Sequence, residues 1–178
     1  MKKCIHPRKA YNLMKEFLNE ISDLCYFDGD DYYKTEILLR KADEFAAECV
    51  DCVAECDELE IYYNFENLYG KGAKLFRNYW TKKVPMLKGF ANITLTLLHE
   101  LGHLETNDKI RQTFSVEMRK LVWFAIDNKF DNVDDKNYHY FAMPDEASAT
   151  QWGIDWLSDA EHRKIAKIFE KKFLACFE

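Results

Sequence analysis

Three residues near the middle of the chain have the types and the spacing of a metal-binding helix. His99, Glu100 and His103 form an H-E-x-x-H sequence, and on an α-helix the two histidines lie one turn apart on the same side. Both imidazoles can therefore reach one Zn²⁺ at about 2.0–2.1 Å. Glu100 lies beside them and can reach a water bound to the ion. The motif predicts a zinc-dependent hydrolase with Glu100 as general base, whereas two ordinary surface histidines are the alternative.

A catalytic zinc site needs a third protein ligand, which leaves the fourth position for water. Glu146 is the favoured third ligand because small residues follow it at 147–149, so its helix can pack closely against the metal-binding helix. This gives a His2Glu site with one zinc ion per chain. Asp145 and His139 are the alternative candidates for the third metal ligand. Glu146 could instead be a first-turn acid that interacts favourably with the helix dipole.

Peptide hydrolysis also requires a donor for the developing oxyanion. Tyr138, His139 and Tyr140 precede Glu146 by a few residues and are candidates for this stabilising role. An aromatic cluster of this kind is also a common packing feature. An extended peptide substrate would pair with the edge of the strand nearest the cleft.

Hydrophobic periodicity indicates which elements carry these residues. The predicted helices cover residues 8–26, 33–56, 91–104, 110–126 and 145–157, and a last helix with a Ser158–Glu161 capping box runs to residue 173. The predicted strands cover residues 59–65, 74–80 and, at an edge because of Pro85, 84–87. Residues 127–137 are expected to be irregular. The order of helices, small sheet and helices indicates an α+β fold.

The metal-binding helix carries a second signal in Gly102. Glycine costs roughly 1 kcal/mol relative to alanine inside a helix, so its presence predicts that another element approaches closely. Leu97, Leu101 and Leu104 form the opposite stripe of this helix and are expected to lie in the core.

Two segments together resemble the ImmA/IrrE-type metallopeptidases. Residues 95–103 (L-T-L-L-H-E-L-G-H) and 146–153 (E-A-S-A-T-Q-W-G) are similar to the family's H-E-[ILF]-G-H helix and its later E-x-E-A-N-x-F-A helix. Glu146 matches the metal-binding glutamate, and Ala149 and Trp152 match the alanine and the aromatic residue. Ser148 replaces the second glutamate, and Thr150 stands where asparagine is usual.

The resemblance implies a minimal zincin-like core with a small sheet packed on the active-site helix. It also implies a bound zinc ion and gluzincin-type peptide cleavage, often of a transcriptional repressor, in a bacterium or a phage. On this basis residues 1–178 form a single metallopeptidase-like domain with an N-terminal helical part (1–57), a zincin core (58–157) and a C-terminal helix (158–178). The competing hypotheses are a non-catalytic binding protein of this fold, with a structural or absent metal and a protein partner, and a helical interaction module with a fortuitous motif.

Composition restricts the setting and the partners. The net charge of −6 argues against a dedicated nucleic-acid binder, so nucleic acid is expected only indirectly, through a substrate. Residues 1–11 do not have the pattern of a signal peptide, and no apolar run is long enough to span a bilayer, so we expect a cytoplasmic protein without membrane contact. Its thiols should be reduced, and Cys49, Cys52 and Cys56 are interpreted as buried thiols of one helix.

A basic segment precedes the metal-binding helix. Residues 71–88 contain six Lys or Arg and no acidic residue. In the ordinary interpretation these basic residues lie on the solvent-exposed face of a strand. The functional interpretation is a cleft wall on which Lys82 and Lys83 steer acidic substrates.

Overall fold

Helices carry most of the chain in the computed structural model, which describes residues 3–28, 31–41, 54–55, 60–63, 65 and 71–178. The helices in these residues are α1 (Pro7–Ile21), α2 (Lys71–Lys83), α3 (Asn92–Thr113), α4 (Val116–Lys129), α5 (Val133–Tyr140), α6 (Pro144–Trp156) and α7 (Ala160–Leu174), with a 3-10 helix at Pro85–Gly89. The strands are β1 (Cys25–Asp28), β2 (Asp31–Lys34), β3 (Leu38–Lys41), β4 (Ala54–Glu55) and β5 (Glu60–Tyr63). This mixture is compatible with the predicted α+β class.

The strands form two small sheets. β1 and β2 are an antiparallel pair, and the second sheet has the order β3-β5-β4. In that sheet β5 is parallel to β3 and antiparallel to β4. Ile37, Leu39, Ile61 and Tyr63 are buried, so one face of the β3–β5 pair belongs to the main core.

The packing of α3 on α6 lies at the centre of the fold. A Cβ atom added at Gly102 of α3 would overlap the Ala149 carbonyl group and would lie 2.8 Å from its carbon. Gly153 of α6 similarly faces Leu98, at 3.1 Å from Cβ to Cβ. The close approach predicted from Gly102 is therefore confirmed, and its partner is the backbone of α6.

The two ends of the described chain hold α3 in place. α1 packs on α7, with the Phe17 and Phe169 rings stacked at 4.3 Å between centroids. Glu170 of α7 is buried and accepts a hydrogen bond from the backbone N–H of Ala91, at the start of α3, at 2.5 Å. α7 thus stabilises an end of α3 that lacks a capping side chain of its own.

The predicted helix over residues 33–56 is wrong for the part that the structure describes. β2, β3 and β4 occupy residues 31–34, 38–41 and 54–55. Ile37 and Leu39 are buried while Leu38 and Arg40 are exposed, which is the two-residue period of a strand. The predicted strand at 59–65 is confirmed in β5, and α1 confirms the first helix but ends at Ile21.

The two predicted strands between residues 74 and 87 are also wrong. Residues 74–80 belong to α2, and residues 85–89 form the 3-10 helix. Phe76, Tyr79 and Trp80 are the buried residues of this stretch, and their spacing of three and one fits a helical face. A seven-residue segment can match both the strand and the helix period, so the pattern of residues 74–80 does not distinguish the two.

The helices after the metal-binding motif have different boundaries from those predicted. α3 continues to Thr113, and α4 begins after Ser115, whose side chain accepts a hydrogen bond from the Met118 N–H at 3.3 Å. The stretch predicted to be irregular contains the end of α4 and most of α5. The last helix is confirmed, but Asp159 rather than Ser158 caps it, accepting from the N–H groups of Glu161 and His162.

Cys49, Cys52 and Cys56 lie outside the described residues, so their predicted burial stays a prediction. In the part of the chain that the structure describes, no helix has the length and the apolarity needed to cross a membrane.

The contact between α3 and α6 predicts a large difference between two glycine substitutions. Gly102→Ala should lower the free energy of unfolding by about 2–3 kcal/mol, because the new methyl group meets backbone that cannot move aside. Gly89→Ala should change it by less than about 0.5 kcal/mol, since nothing lies within 4 Å of a Cβ atom there. Urea denaturation of both variants measures the difference, and equal stabilities would contradict the close packing.

Candidate metal centre

Three ligand atoms from α3 and α6 converge on one point. The Nε2 atom of His99 lies 3.0 Å from Oε2 of Glu146 and 3.1 Å from Nε2 of His103. The distance from His103 Nε2 to the same carboxylate oxygen is 3.5 Å. Bonds of about 2.0–2.1 Å in tetrahedral geometry separate neighbouring ligand atoms by about 3.3 Å. The three residues therefore fit a single metal ion, and they form a metal-ligand cluster among the described residues.

The helix geometry explains how these side chains meet. His99 and His103 are one turn apart on α3, and Glu146 lies in the first turn of α6. The contact between Gly102 and Ala149 brings the two helices close enough for all three side chains to touch. His99 and Glu146 are almost completely buried, whereas 17% of the His103 side chain is accessible. Solvent therefore reaches the cluster from the His103 side.

Thr150 orients the first histidine. Its Oγ1 atom lies 2.8 Å from Nδ1 of His99, and both residues are buried. With the proton on Nε2, neutral His99 donates to Glu146 and its Nδ1 accepts from the Thr150 hydroxyl. With the proton on Nδ1, which donates to the same hydroxyl oxygen, the lone pair of Nε2 is free for a metal ion. The edge of the Phe76 ring packs on His99 at 4.9 Å between centroids and limits its rotation.

Arg119 of α4 holds the other side of the Glu146 carboxylate. Its Nη2 atom donates to Oε1 of Glu146 at 2.9 Å and to the Tyr140 hydroxyl at 3.0 Å. Its Nε atom forms an ion pair with the Asp145 carboxylate. Because Arg119 occupies Oε1, the geometry leaves Oε2 for a metal ion and favours coordination through one oxygen.

The charges of the cluster are arranged asymmetrically. Burial lowers the pKa of His99, and His103 lowers it further. Burial also acts to lower the pKa of His103, but the hydrogen bond to Glu146 and the charges of Glu146 and Glu100 outweigh it, so the pKa is raised. For Glu146, burial opposes ionisation, yet the hydrogen bonds to both histidines hold its pKa well below the usual range. Glu146 is therefore ionised and His99 neutral, which are the forms that bind metal.

Glu100 lies beside the cluster without belonging to it. The residue is buried, and its charge raises the pKa values of both His103 and Tyr140. The charge of this buried carboxylate therefore acts on the cluster and on the tyrosine beside it.

Of the three candidate stabilising residues, the structure brings only Tyr140 to the cluster. Burial and the charge of Glu146 raise the pKa of Tyr140 well above its ordinary value, so its hydroxyl stays protonated and can donate. Tyr138 is more than half exposed and packs on Tyr79. His139 stacks on Phe130 with ring centroids 4.2 Å apart, and its position outside the cluster removes it as a substitute ligand.

The remaining predicted site residues lie further out. Asp145, the other substitute ligand, pairs with Arg119 and is absent from the cluster. Lys82 and Lys83 are exposed in the last turn of α2. The prediction that they lie on the face of a strand is therefore wrong. Lys83 donates to the Tyr79 hydroxyl at 2.5 Å.

Sequence reasoning missed the supporting roles of Arg119 and Thr150. A signal for Thr150 existed, because it lies one turn after Glu146 and therefore on the same side of α6. Arg119 is 27 residues from Glu146, and only the packing of α4 brings the two together.

Comparison with known proteins finds no matching family model, no matching curated protein and no matching solved structure. The interpretation of the cluster therefore rests on its geometry and on the chemistry of its donor atoms.

Substitution of one ligand should abolish metal binding. We expect one Zn²⁺ or Co²⁺ per chain in the wild-type protein, and a loss of affinity of at least about 100-fold in His103→Ala, because two ligands hold the ion far less tightly than three. His139→Ala is the matched control and should bind as wild type. Titration calorimetry and the visible absorption bands of bound Co²⁺ measure both. Full binding by His103→Ala would rule out this site.

Arg119 should strengthen metal binding without touching the ion. We expect Arg119→Ala to weaken Zn²⁺ binding by about 10–100-fold, since outer partners of this kind orient the ligands. Lys120→Ala removes the neighbouring positive charge on the same helix and should leave the affinity unchanged. A competitive chelator assay measures the Zn²⁺ dissociation constants of the two variants. Equal values would show that Arg119 affects binding only through its net charge.

Proposed function

We propose that the chain is a zinc-dependent endopeptidase whose metal ligands are His99, His103 and Glu146. The observation that carries this proposal is the convergence of two imidazole nitrogens and one carboxylate oxygen within 3.0–3.5 Å, with Glu100 buried beside them. Two histidines and one glutamate are the donor set of catalytic zinc sites in peptidases. The resemblance to ImmA/IrrE-type enzymes over residues 95–103 and 146–153 supports the same function.

The number of ligands favours a catalytic rather than a structural ion. Structural zinc sites use four protein ligands, whereas catalytic sites use three and keep one position open. The cluster has three ligands among the described residues. His103 is the most exposed of the three ligands, with 17% of its side chain accessible, so in this proposal the substrate approaches from the His103 side.

The chain's own residues have distinct roles in this proposal. A bound zinc ion supplies Lewis acidity and lowers the pKa of a coordinated water. Glu100 accepts a proton from the attacking water and returns it to the leaving amine. The Tyr140 hydroxyl, kept protonated by its raised pKa, donates to the developing oxyanion. Arg119 and Thr150 keep Glu146 and His99 oriented throughout.

In this proposal an extended substrate pairs with the edge of β4. β4 is an edge strand of the three-stranded sheet and lies against α3, the helix that carries both histidines. A peptide that pairs with this edge would pass beside the metal helix. A regulatory protein such as a repressor fits this substrate class, and Lys82 and Lys83 would steer acidic segments towards α2.

The decisive variant is Glu100→Gln. It should retain one Zn²⁺ and the fold, while hydrolysis of a proteome-derived peptide library falls by about 10²–10⁴-fold, because the proton acceptor is lost and every metal ligand remains. The matched control is Glu161→Gln, an exposed carboxylate on α7, which should cleave as wild type. Mass spectrometry of the library products measures the cleavage rates.

Two results would overturn the proposal in different ways. Equal cleavage by Glu100→Gln and wild type would remove Glu100 as the base. A wild-type protein that binds zinc and cleaves nothing in the library would favour the alternative, a non-catalytic binding protein of the same fold with a protein partner.

A further inference from the structure

The outward face of α4 is apolar and uncovered. None of the side chains of this helix is buried, and five of its large hydrophobic residues are at least 38% exposed. Leu121 and Phe124 are each 68% exposed, the highest values among the exposed large hydrophobic residues. Side chains of this size in contact with water favour association, since their burial removes apolar surface from water.

The inward face of the same helix is already in use. Arg119 points to the metal cluster, and Val122 and Ile126 are half-buried. The outward line consists of Glu117, Leu121, Phe124 and Asn128, which lie within about 60° of one another around the helix axis. A partner must therefore meet an acidic residue, two large apolar residues and an amide, in that order.

We propose that this line, the α4 outward face, binds the same face of a second copy of the chain in antiparallel orientation. The order is self-complementary because the positions are symmetric about the midpoint between Leu121 and Phe124. In an antiparallel pair Leu121 contacts Phe124 of the second copy, and Glu117 meets Asn128 of the second copy. Asn128 uses one N–H on the Phe124 carbonyl oxygen at 2.7 Å, and its amide has a second donor for the carboxylate. The contact is isologous, as a two-fold dimer requires.

Charges beside this line favour the same arrangement. Lys120 and Asp127 lie on one flank of α4 and are both exposed. In an antiparallel pair equal flanks face each other across the two-fold axis, and Asp127 of one copy lies about 3 Å along the axis from the position opposite Lys120 of the other, within reach of the long lysine side chain. A parallel pair would instead place Glu117 on Glu117 and Asn128 on Asn128, without an opposite charge for either carboxylate. Asp127 also binds Lys136 at 2.5 Å, and a carboxylate can accept from two donors.

One pair of helices makes a weak dimer. A contact of this length buries less than the roughly 1,200–2,000 Å² of a standard stable interface. We therefore expect a dissociation constant in the micromolar range or above, so that sedimentation equilibrium must extend to about 500 μM protein.

The first test uses two exposed apolar residues on different helices. Leu121→Asp should raise the dissociation constant of the dimer by at least about 10-fold, because it buries a charge against Phe124 of the second copy. The control Ile168→Asp replaces a residue that is 55% exposed on α7 and should dimerise as wild type. Circular dichroism checks that both variants fold. A wild-type protein that stays monomeric throughout the range, or equal dimerisation by Leu121→Asp and wild type, would overturn the proposal.

The second test uses charge exchange. Lys120→Asp and Asp127→Lys should each weaken dimerisation, since each places like charges opposite one another. An equimolar mixture of the two variants should recover a dimer, and so should the double variant K120D/D127K. If the mixture associates no more strongly than either variant alone, the antiparallel α4 pair is excluded.

Discussion

The close approach of α3 and α6 is the contact on which the metal cluster depends. His99 and His103 project from one helix and Glu146 from the other, so their ligand atoms can lie 3.0–3.5 Å apart only if the helix axes are unusually near. Gly102 permits this approach because any side chain there would collide with the Ala149 backbone. The same approach places Thr150 against His99. A single glycine thus determines the geometry of both the ligands and their support.

Charge compensation is the second requirement of this arrangement. An ionised carboxylate that is almost completely buried is costly unless charged or polar partners surround it. Glu146 has the two histidines on one oxygen and Arg119 on the other. The raised pKa of His103 belongs to the same balance, since its proton offsets the Glu146 charge when no ion is bound. Metal binding would displace this proton, so the affinity should fall as the pH is lowered through the pKa of His103.

Arg119 also connects the cluster to an otherwise peripheral helix. α4 buries none of its own side chains, but Arg119 reaches Asp145, Glu146 and Tyr140, and the Trp123 ring also packs on Tyr140. The helix therefore combines an inner face that supports the proposed metal site with an outer apolar face. A change in how α4 is packed would alter the position of the guanidinium group and, through it, the Glu146 carboxylate. The two faces belong to one rigid element, which links the proposed dimer to the proposed site.

The sequence by itself determined the features that depend on local geometry. The spacing of His99 and His103 on a helix, the close contact at Gly102 and the choice of Glu146 follow from helical periodicity and residue size, and the structure brings all of them together. Short elements were harder to predict, because four-residue strands such as β3 lie within a longer segment of helical spacing and residues 74–80 match both periods. Only the tertiary structure decided that Arg119 holds Oε1 of Glu146, that Thr150 supports His99, and that Tyr140 rather than Tyr138 or His139 reaches the cluster. These contacts join residues up to 51 positions apart, and their distances depend on how whole helices pack, which no local pattern encodes.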